Sequence, residues 1–139
     1  MLARAKEYHM FYMTVAQKAS ELSYCVKRKV GAVAVNKGNI IAFGFNGTPA
    51  GYCNCCEDEN GNTKESVIHA EDNLLRKLKN SVVPHGTVLY VTKEPCVDCA
   101  ELINGWDEIE QIFYREKSAS RPNEGILLLM NKGKLCARI

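Results

Sequence analysis

The chain is predicted to fold as an α/β domain in which a mixed sheet carries helices on both faces. Segments with helical and strand-like apolar spacing alternate in the order α-β-β-α-β-α-β-α-β. The length of 139 residues is that of one ordinary domain, so residues 1–139 are expected to form a single unit. The 46% hydrophobic and 24% charged residues are typical of a globular protein.

The first half of the chain is predicted to contain a helix and a hairpin. Apolar residues recur at helical spacing over 5–22, and neither Gly nor Pro interrupts that segment. Two apolar, strand-like runs at 30–35 and 40–45 flank the turn at 37–39, which indicates a hairpin. Residues 46–66 are irregular, and a loop of that length inside a compact domain is usually functional.

The second half is predicted to alternate helices with strands. The segments are a helix over 67–79, a strand over 87–92, a helix over 96–103, a strand over 109–114, a helix over 124–131 and a strand over 135–139. Pro95 precedes the middle helix, in agreement with the preference for proline at a helix start.

Three residues, His69, Cys96 and Cys99, have the types and spacing of a catalytic zinc site. Zinc binds imidazole nitrogen and thiolate sulfur, and a catalytic site uses three protein ligands with water as the fourth. Cys96 and Cys99 are three residues apart, so on a helix they face the same way. The positive end of the helix dipole stabilises thiolates at that position.

Glu71 is predicted to be the catalytic acid and base. It lies two residues from His69, so it can reach a zinc-activated water without occupying a coordination position. From there it can take the proton of the water and return it to a substrate.

A structural zinc site is the alternative to the catalytic one. Cys53 and Cys56 share the spacing of Cys96 and Cys99, so four cysteines could hold a non-catalytic, zinc-stabilised module. That arrangement would leave the histidine and Glu71 without a role.

The H-x-E…P-C-x-x-C pattern is the signature of zinc nucleobase deaminases, and the sequence resembles the zinc-dependent cytidine deaminase superfamily. Within it, the chain is similar to deoxycytidylate deaminases of the phage type. The resemblance rests on the segments KVGAV (29–33), GFNGTPAG (44–51), HAEDN (69–73), YVT (90–92) and PCVDC (95–99). It implies a three-layer α/β/α fold around a mixed five-stranded sheet. It also implies hydrolysis of dCMP to dUMP and ammonia, a reaction that feeds thymidylate synthesis.

The same resemblance implies a set of substrate-binding residues. These are Asn46, Gly47, Thr48, Pro49, Ala50, Ala70, Asn73 and Tyr114. Asn46 is expected to contact the sugar, and Tyr114 either stacks on the base, contacts the phosphate or is a surface aromatic. For the phosphate, the cationic candidates are Arg115, Lys117 and Arg121, although charged loop residues are often only solvated.

Further cofactors and partners follow from the resemblance alone. Phage-type relatives suggest a second, structural zinc, for which the candidates here are Cys25, Cys53, Cys55 and Cys56, with buried free thiols as the alternative. Cys136 is expected to be a packed thiol. Hexamers regulated by dCTP and dTTP with Mg²⁺ are common in this group, and the segment 37–46 is a candidate effector region.

Composition and the residue before Pro95 bear on the alternatives. The chain has neither a secretory signal nor an apolar span, so a cytoplasmic, reducing location is expected, with cysteines as thiols or ligands rather than disulfides. A glutamate at position 94 is typical of tRNA adenosine deaminases. Adenosine in tRNA therefore remains an alternative substrate, as do free cytidine and guanine. The net charge of +2 and the GFNGTPAG segment argue against a nucleic-acid partner.

Overall fold

The computed structural model describes residues 2–139, with side chains from residue 4 onward; Met1, the first residue of the predicted domain, lies outside the described residues. The elements are α1 (Leu2–Ser20), β1 (Gly31–Asn36), β2 (Asn39–Phe45), α2 (Ala70–Leu78), β3 (Thr87–Lys93), α3 (Val97–Asn104), β4 (Ile109–Glu116), α4 (Glu124–Asn131) and β5 (Leu135–Arg138). Their order confirms the predicted alternation of helices and strands.

The five strands form one mixed sheet in the order β2-β1-β3-β4-β5. β1 runs antiparallel to both of its neighbours, while β3, β4 and β5 are parallel to one another. Parallel neighbours require crossover connections, and α3 and α4 supply them. The carboxyl ends of β3 and β4 consequently lie at the same edge of the sheet.

Alternate side chains of β1 show how the sheet separates two helical layers. Ala32 and Ala34 belong to the large apolar core that α2, α3 and α4 complete with their buried faces. Val33 and Val35 point to the other side, where they pack against α1. The three-layer α/β/α prediction is confirmed, with one helix on one face and three on the other.

Gly44 allows α2 to lie directly on β2. A Cβ at this position would lie 2.6 Å from Ala70 O and 2.8 Å from Leu74 N, which is closer than side chains tolerate. Because no side chain separates the two backbones, the first turn of α2 is held against the sheet. This contact sets the position of residues 69–71, which carry part of the predicted site.

The helix predicted over 67–79 begins later than expected, at Ala70. Ile68 is extended instead, because its N–H donates to Gly47 O at 2.7 Å and its carbonyl accepts from Gly47 N at 3.0 Å. Val67 and Ile68 are apolar and directly precede the helical pattern, so the sequence pattern did not reveal this long-range pairing. Among the described helices, none is both long and apolar enough to cross a membrane.

Candidate metal centre and active site

Two helix N-termini meet at the candidate site. His69 is the N-cap residue of α2 and Cys96 is the N-cap residue of α3, both with extended backbone. Cys99 follows in the first turn of α3, where Ala100 N donates to Cys96 O at 2.8 Å. The unpaired N–H groups and positive dipole ends of both helices therefore surround the predicted ligands and favour negative charge there.

The three predicted ligands converge. His69 Nδ1 lies 3.5 Å from Cys96 Sγ and 3.3 Å from Cys99 Sγ. All three donor atoms lie within 4.8 Å of one another. Tetrahedral zinc with a Zn–N distance of about 2.0 Å and a Zn–S distance of about 2.3 Å would place nitrogen and sulfur about 3.5 Å apart. The donor set therefore fits a single zinc ion.

The protonation of these groups also favours a cation. The pKa of Cys96 is lowered to about 3, because the Cys99 thiol and the His69 ring hydrogen-bond to its sulfur. The pKa of Cys99 is raised, because its thiol is engaged with Cys96 and is buried. The pKa of His69 is raised by the same hydrogen bond to Cys96. One thiolate forms readily, whereas a second would need a positive ion nearby.

Glu71 lies in the first turn of α2, beside the three ligands, and is only 4% exposed. Burial raises its carboxyl pKa to about 7, and the neighbouring His69 opposes that rise. Among the described residues, the one cluster of three or more metal-ligating side chains consists of His69, Cys96 and Cys99. Glu71 is outside that cluster and is free to exchange protons near neutral pH.

A cavity of about 350 Å³ opens beside these residues. Its volume is at the small end of the range of about 300–1,000 Å³ that is usual for ligand sites. Its lining consists of Cys25, Arg28, Val30, Asn46, Thr63, Lys64, Glu65, Val67, His69, Ala70, Glu71, Lys93, Glu94, Cys96, Ser118 and Ser120. The lining combines acidic groups with three cations, so a ligand that carries both donors and negative charge can be accommodated.

Asn46 and Ala70 are the two predicted substrate-binding residues in this lining. The side-chain Oδ1 of Asn46 accepts from Val30 N at 2.9 Å, and its Nδ2 donates to Arg28 O at 2.8 Å. The amide thus fixes the segment from Arg28 to Val30 at the cavity wall. Its 7% exposure leaves only an edge of the residue accessible to a ligand.

The other predicted substrate residues lie elsewhere. Pro49 lines a second cavity of about 460 Å³, which His69 and Cys99 also line, and Thr48 and Ala50 are in neither lining. Asn73 Nδ2 donates to Phe45 O at 2.8 Å, which ties α2 to β2. Tyr114 is 7% exposed and belongs to the core, where burial raises the pKa of its phenol. Gly47 is paired with Ile68, as described above.

The cations at the cavity differ from those singled out in the sequence. Arg28, Lys64 and Lys93 line it, whereas Arg115, Lys117 and Arg121 do not. Arg121 instead forms an ion pair with Glu124 at 3.2 Å. Lys93 ends β3 only three residues before Cys96, so chain proximity to the ligand could have identified it. The other two cations reach the cavity through tertiary contacts that spacing does not reveal.

The cysteines of the irregular loop are paired, contrary to the expectation of thiols or metal ligands. Cys25 is bonded to Cys56, and Cys53 is bonded to Cys55. Cys25 and Cys56 form a small buried cluster with Val67, which brings the chain after α1 against the loop. This packing joins residues 31 positions apart in the sequence. Cys136 is free and half-buried, as predicted for a packed thiol.

Comparison with known proteins gives a consistent result. A sequence model of the cytidine and deoxycytidylate deaminase zinc-binding region matches residues 6–116. Deoxycytidylate deaminase of Mycobacterium phage D29 is 31% identical over 126 residues, which cover 81% of this chain and 97% of that protein. Deoxycytidylate deaminase of Schizosaccharomyces pombe is 35% identical over 115 residues. Those residues cover 75% of this chain, which spans only 36% of the yeast protein.

A solved structure extends the likeness to three dimensions. The dCMP deaminase from the cyanophage S-TIM5, crystallised in complex with dCMP and dUMP, superposes with a TM-score of 0.89 at 37% sequence identity. The match covers 96% of this chain and 97% of the cyanophage chain. The profile match from residue 6 to residue 116 includes all three zinc-site donors and Glu71. The chain therefore belongs to the zinc-dependent cytidine and deoxycytidylate deaminase family.

Proposed function

We propose that this chain hydrolyses dCMP to dUMP and ammonia. The observation that carries the proposal is the buried carboxylate of Glu71, which lines the same cavity as the His69 and Cys96 donors, with Cys99 completing the donor set. A site that only stabilised the fold would not need a carboxylate kept outside the ligand set. The cyanophage relative, crystallised with dCMP and dUMP, supports the choice of substrate.

The chemistry divides between the metal and the chain. A zinc ion held by His69, Cys96 and Cys99 would supply Lewis acidity that makes water a nucleophile near neutral pH. Glu71 accepts a proton as the water oxygen bonds to C4 of the pyrimidine, and it delivers that proton to ring nitrogen N3. Glu71 then takes the proton of the hydroxyl group formed at C4 and passes it to the exocyclic nitrogen. The C4–N4 bond breaks as the C4 carbonyl forms, and ammonia leaves. The carboxyl pKa of about 7 suits both directions of transfer.

We propose that the cations in the cavity lining bind the substrate phosphate. Arg28, Lys64 and Lys93 are the three cationic residues of the lining. Each can donate to phosphate oxygens with a charge-assisted hydrogen bond, which is stronger than a neutral one. A monophosphate adds two negative charges near neutral pH, so these donors would favour a nucleotide over the free nucleoside.

A substrate panel tests the proposal. The loss of cytosine absorbance would be followed with dCMP, deoxycytidine, cytosine and dCTP, and inosine formation with an adenosine-containing anticodon stem-loop RNA. We expect dCMP to have the highest kcat/KM. If deoxycytidine had the highest kcat/KM, the proposed recognition of the phosphate would be wrong. If the RNA had the highest kcat/KM, dCMP would be the wrong substrate.

We also propose a homo-oligomer, with hexamer as the predicted state. In support, the edge strand β2 presents Ile40 and Phe43 at 42% and 40% exposure, and α1 presents Phe11 at 56%. Sedimentation analysis would give the mass of the assembly. Regulation by dCTP and dTTP with Mg²⁺ stays a prediction, which rate measurements with each nucleotide in the presence and absence of Mg²⁺ would test.

A second zinc also stays a prediction. It would require the paired cysteines to be reduced, because zinc binds the thiolate form. Metal analysis before and after treatment with a thiol reductant would distinguish one bound zinc per chain from two.

A further inference from the structure

Glu94 is a buried carboxylate that the proposed chemistry does not use. It lies between the end of β3 and the turn that carries Cys96, and it is 5% exposed. A buried carboxylate is costly unless hydrogen bonds compensate it. Its Oε1 accepts from Ser118 N at 2.8 Å and from Asn123 N at 3.0 Å, while Oε2 has no hydrogen-bond partner among the described residues.

These two hydrogen bonds close the loop that joins β4 to α4. Ser118 and Asn123 are the first and last residues of the segment SASRPN, and one oxygen atom holds both ends. Within that segment, Ser118 and Ser120 line the cavity. Because a carboxylate accepts from N–H groups more strongly than a neutral oxygen does, Glu94 is well suited to hold the loop in one conformation.

The loop is also anchored to the metal-site turn by backbone contact. Gly125, in the first turn of α4, lies so close to the turn that a Cβ there would be 2.1 Å from Pro95 O and 2.9 Å from Cys96 O. Glu94 N donates to Glu116 O at 2.8 Å, which ties the same turn to the end of β4. The turn that carries Cys96 is therefore in contact with the residue before the loop (Glu116), with the loop itself and with the residue after it in α4 (Gly125).

We propose that Glu94 is a positioning residue that fixes the 118–123 loop as one wall of the substrate cavity and so sets how tightly a nucleoside monophosphate is bound. The choice of a nucleoside monophosphate as ligand rests on the proposed function, whereas the hydrogen bonds between Glu94 and the loop do not depend on it. Glu94 acts through Ser118 and Ser120, and it leaves the proton transfers to Glu71. Loss of the hydrogen bonds would free the wall of the cavity without removing any group that carries out the chemistry.

Glu94→Ala and Glu94→Gln test the proposal, with Glu101→Ala, an exposed carboxylate of α3, as the matched control. Glu94→Ala should raise KM for dCMP by about tenfold while kcat changes by less than about threefold, because a ground-state contact is lost. Glu94→Gln keeps an acceptor oxygen and should recover most of that KM. Zinc content should equal that of the parent in all three variants.

Hydrogen exchange tests whether Glu94 holds the 118–123 loop, independently of which reaction the enzyme catalyses. In Glu94→Ala, the amides of residues 118–121 and 123 should exchange at least about tenfold faster, while those of β3 stay unchanged. The exchange rates do not depend on which nucleotide is the substrate. They would therefore still test the role of Glu94 if the enzyme did not act on dCMP. Unchanged exchange in the loop would overturn the proposal, as would a fall in kcat at constant KM or a Gln variant no better than Ala. If Glu94→Ala does not fold, Glu94→Asp replaces it, because its side chain is one methylene shorter and should hold the two N–H groups less well. Faster loop exchange in Glu94→Asp than in the parent is then the supporting result, and parent-like exchange is the refuting one.

Discussion

Gly125→Ala gives a test of how closely α4 supports the metal site. The added Cβ would lie 2.1 Å from Pro95 O, whereas real Cβ contacts are essentially never below 3.0 Å. The Pro95–Cys96 peptide or the start of α4 must therefore move by about 0.9 Å, the difference between those two distances. The atoms that the added Cβ would approach, Pro95 O and Cys96 O, belong to the backbone, so no side-chain rotation relieves the contact.

Two consequences of that movement can be given a magnitude. Forcing a methyl group into a packed region costs about 1–3 kcal/mol, which for a domain of this size lowers the melting temperature by several degrees. A shift of about 1 Å in a catalytic group can reduce the rate by about a hundredfold. Since Cys96 follows the displaced carbonyl directly, we expect weaker zinc binding together with a reduced kcat/KM.

Gly105→Ala is the matched control for this substitution. Gly105 follows α3 with helical dihedral angles, and its Cβ would approach Leu102 O at 3.3 Å, which a small adjustment accommodates. Melting temperature, zinc affinity by chelator competition and kcat/KM would be measured for both variants. If Gly125→Ala matched the control in all three measurements, the argument that α4 supports the metal-site turn through backbone contact would be refuted.

Three further substitutions address the site itself. Glu71→Gln should keep zinc and fold but lower kcat by about 10²–10⁴, measured by cytosine absorbance; near-parent turnover would assign proton transfer elsewhere. Cys99→Ala should release zinc and lower the melting temperature, because metal binding contributes to folding, whereas Cys136→Ala should change neither. Full zinc content in Cys99→Ala would contradict the ligand assignment. Lys64→Ala should raise KM for dCMP more than KM for deoxycytidine, and equal changes would argue against a phosphate contact.

The features predictable from sequence were those set by local spacing. Cys96 and Cys99 share one helical turn, and Pro95 marks its start, so their common orientation followed from the sequence. The apolar, strand-like run at 30–35 likewise indicated the first strand of the hairpin, which is β1. These patterns depend on residues close in the chain, and the structure confirms them.

The features that escaped prediction depend on contacts distant in the chain. Ile68 is extended because Gly47 pairs with it, although its apolar spacing fits a helix. The Cys25–Cys56 pair joins two segments whose proximity only the packed domain creates. Glu94 stood out in the sequence only because glutamate before this proline is typical of tRNA adenosine deaminases. Its partners are backbone N–H groups, which every residue but proline carries, so no side-chain pattern could identify them.

The position of the metal site follows from the connections around β3. Helix α2 leads into the start of β3 through a short connection, so it runs opposite to the strand and its N-terminus lies at the strand's carboxyl edge. Helix α3 leaves that same edge and begins there. Two helix N-termini must therefore meet at one end of one strand, which is where α/β folds commonly bind ligands. Placing a ligand residue at each helix start, His69 and Cys96, is then enough to bring donors from separate segments together.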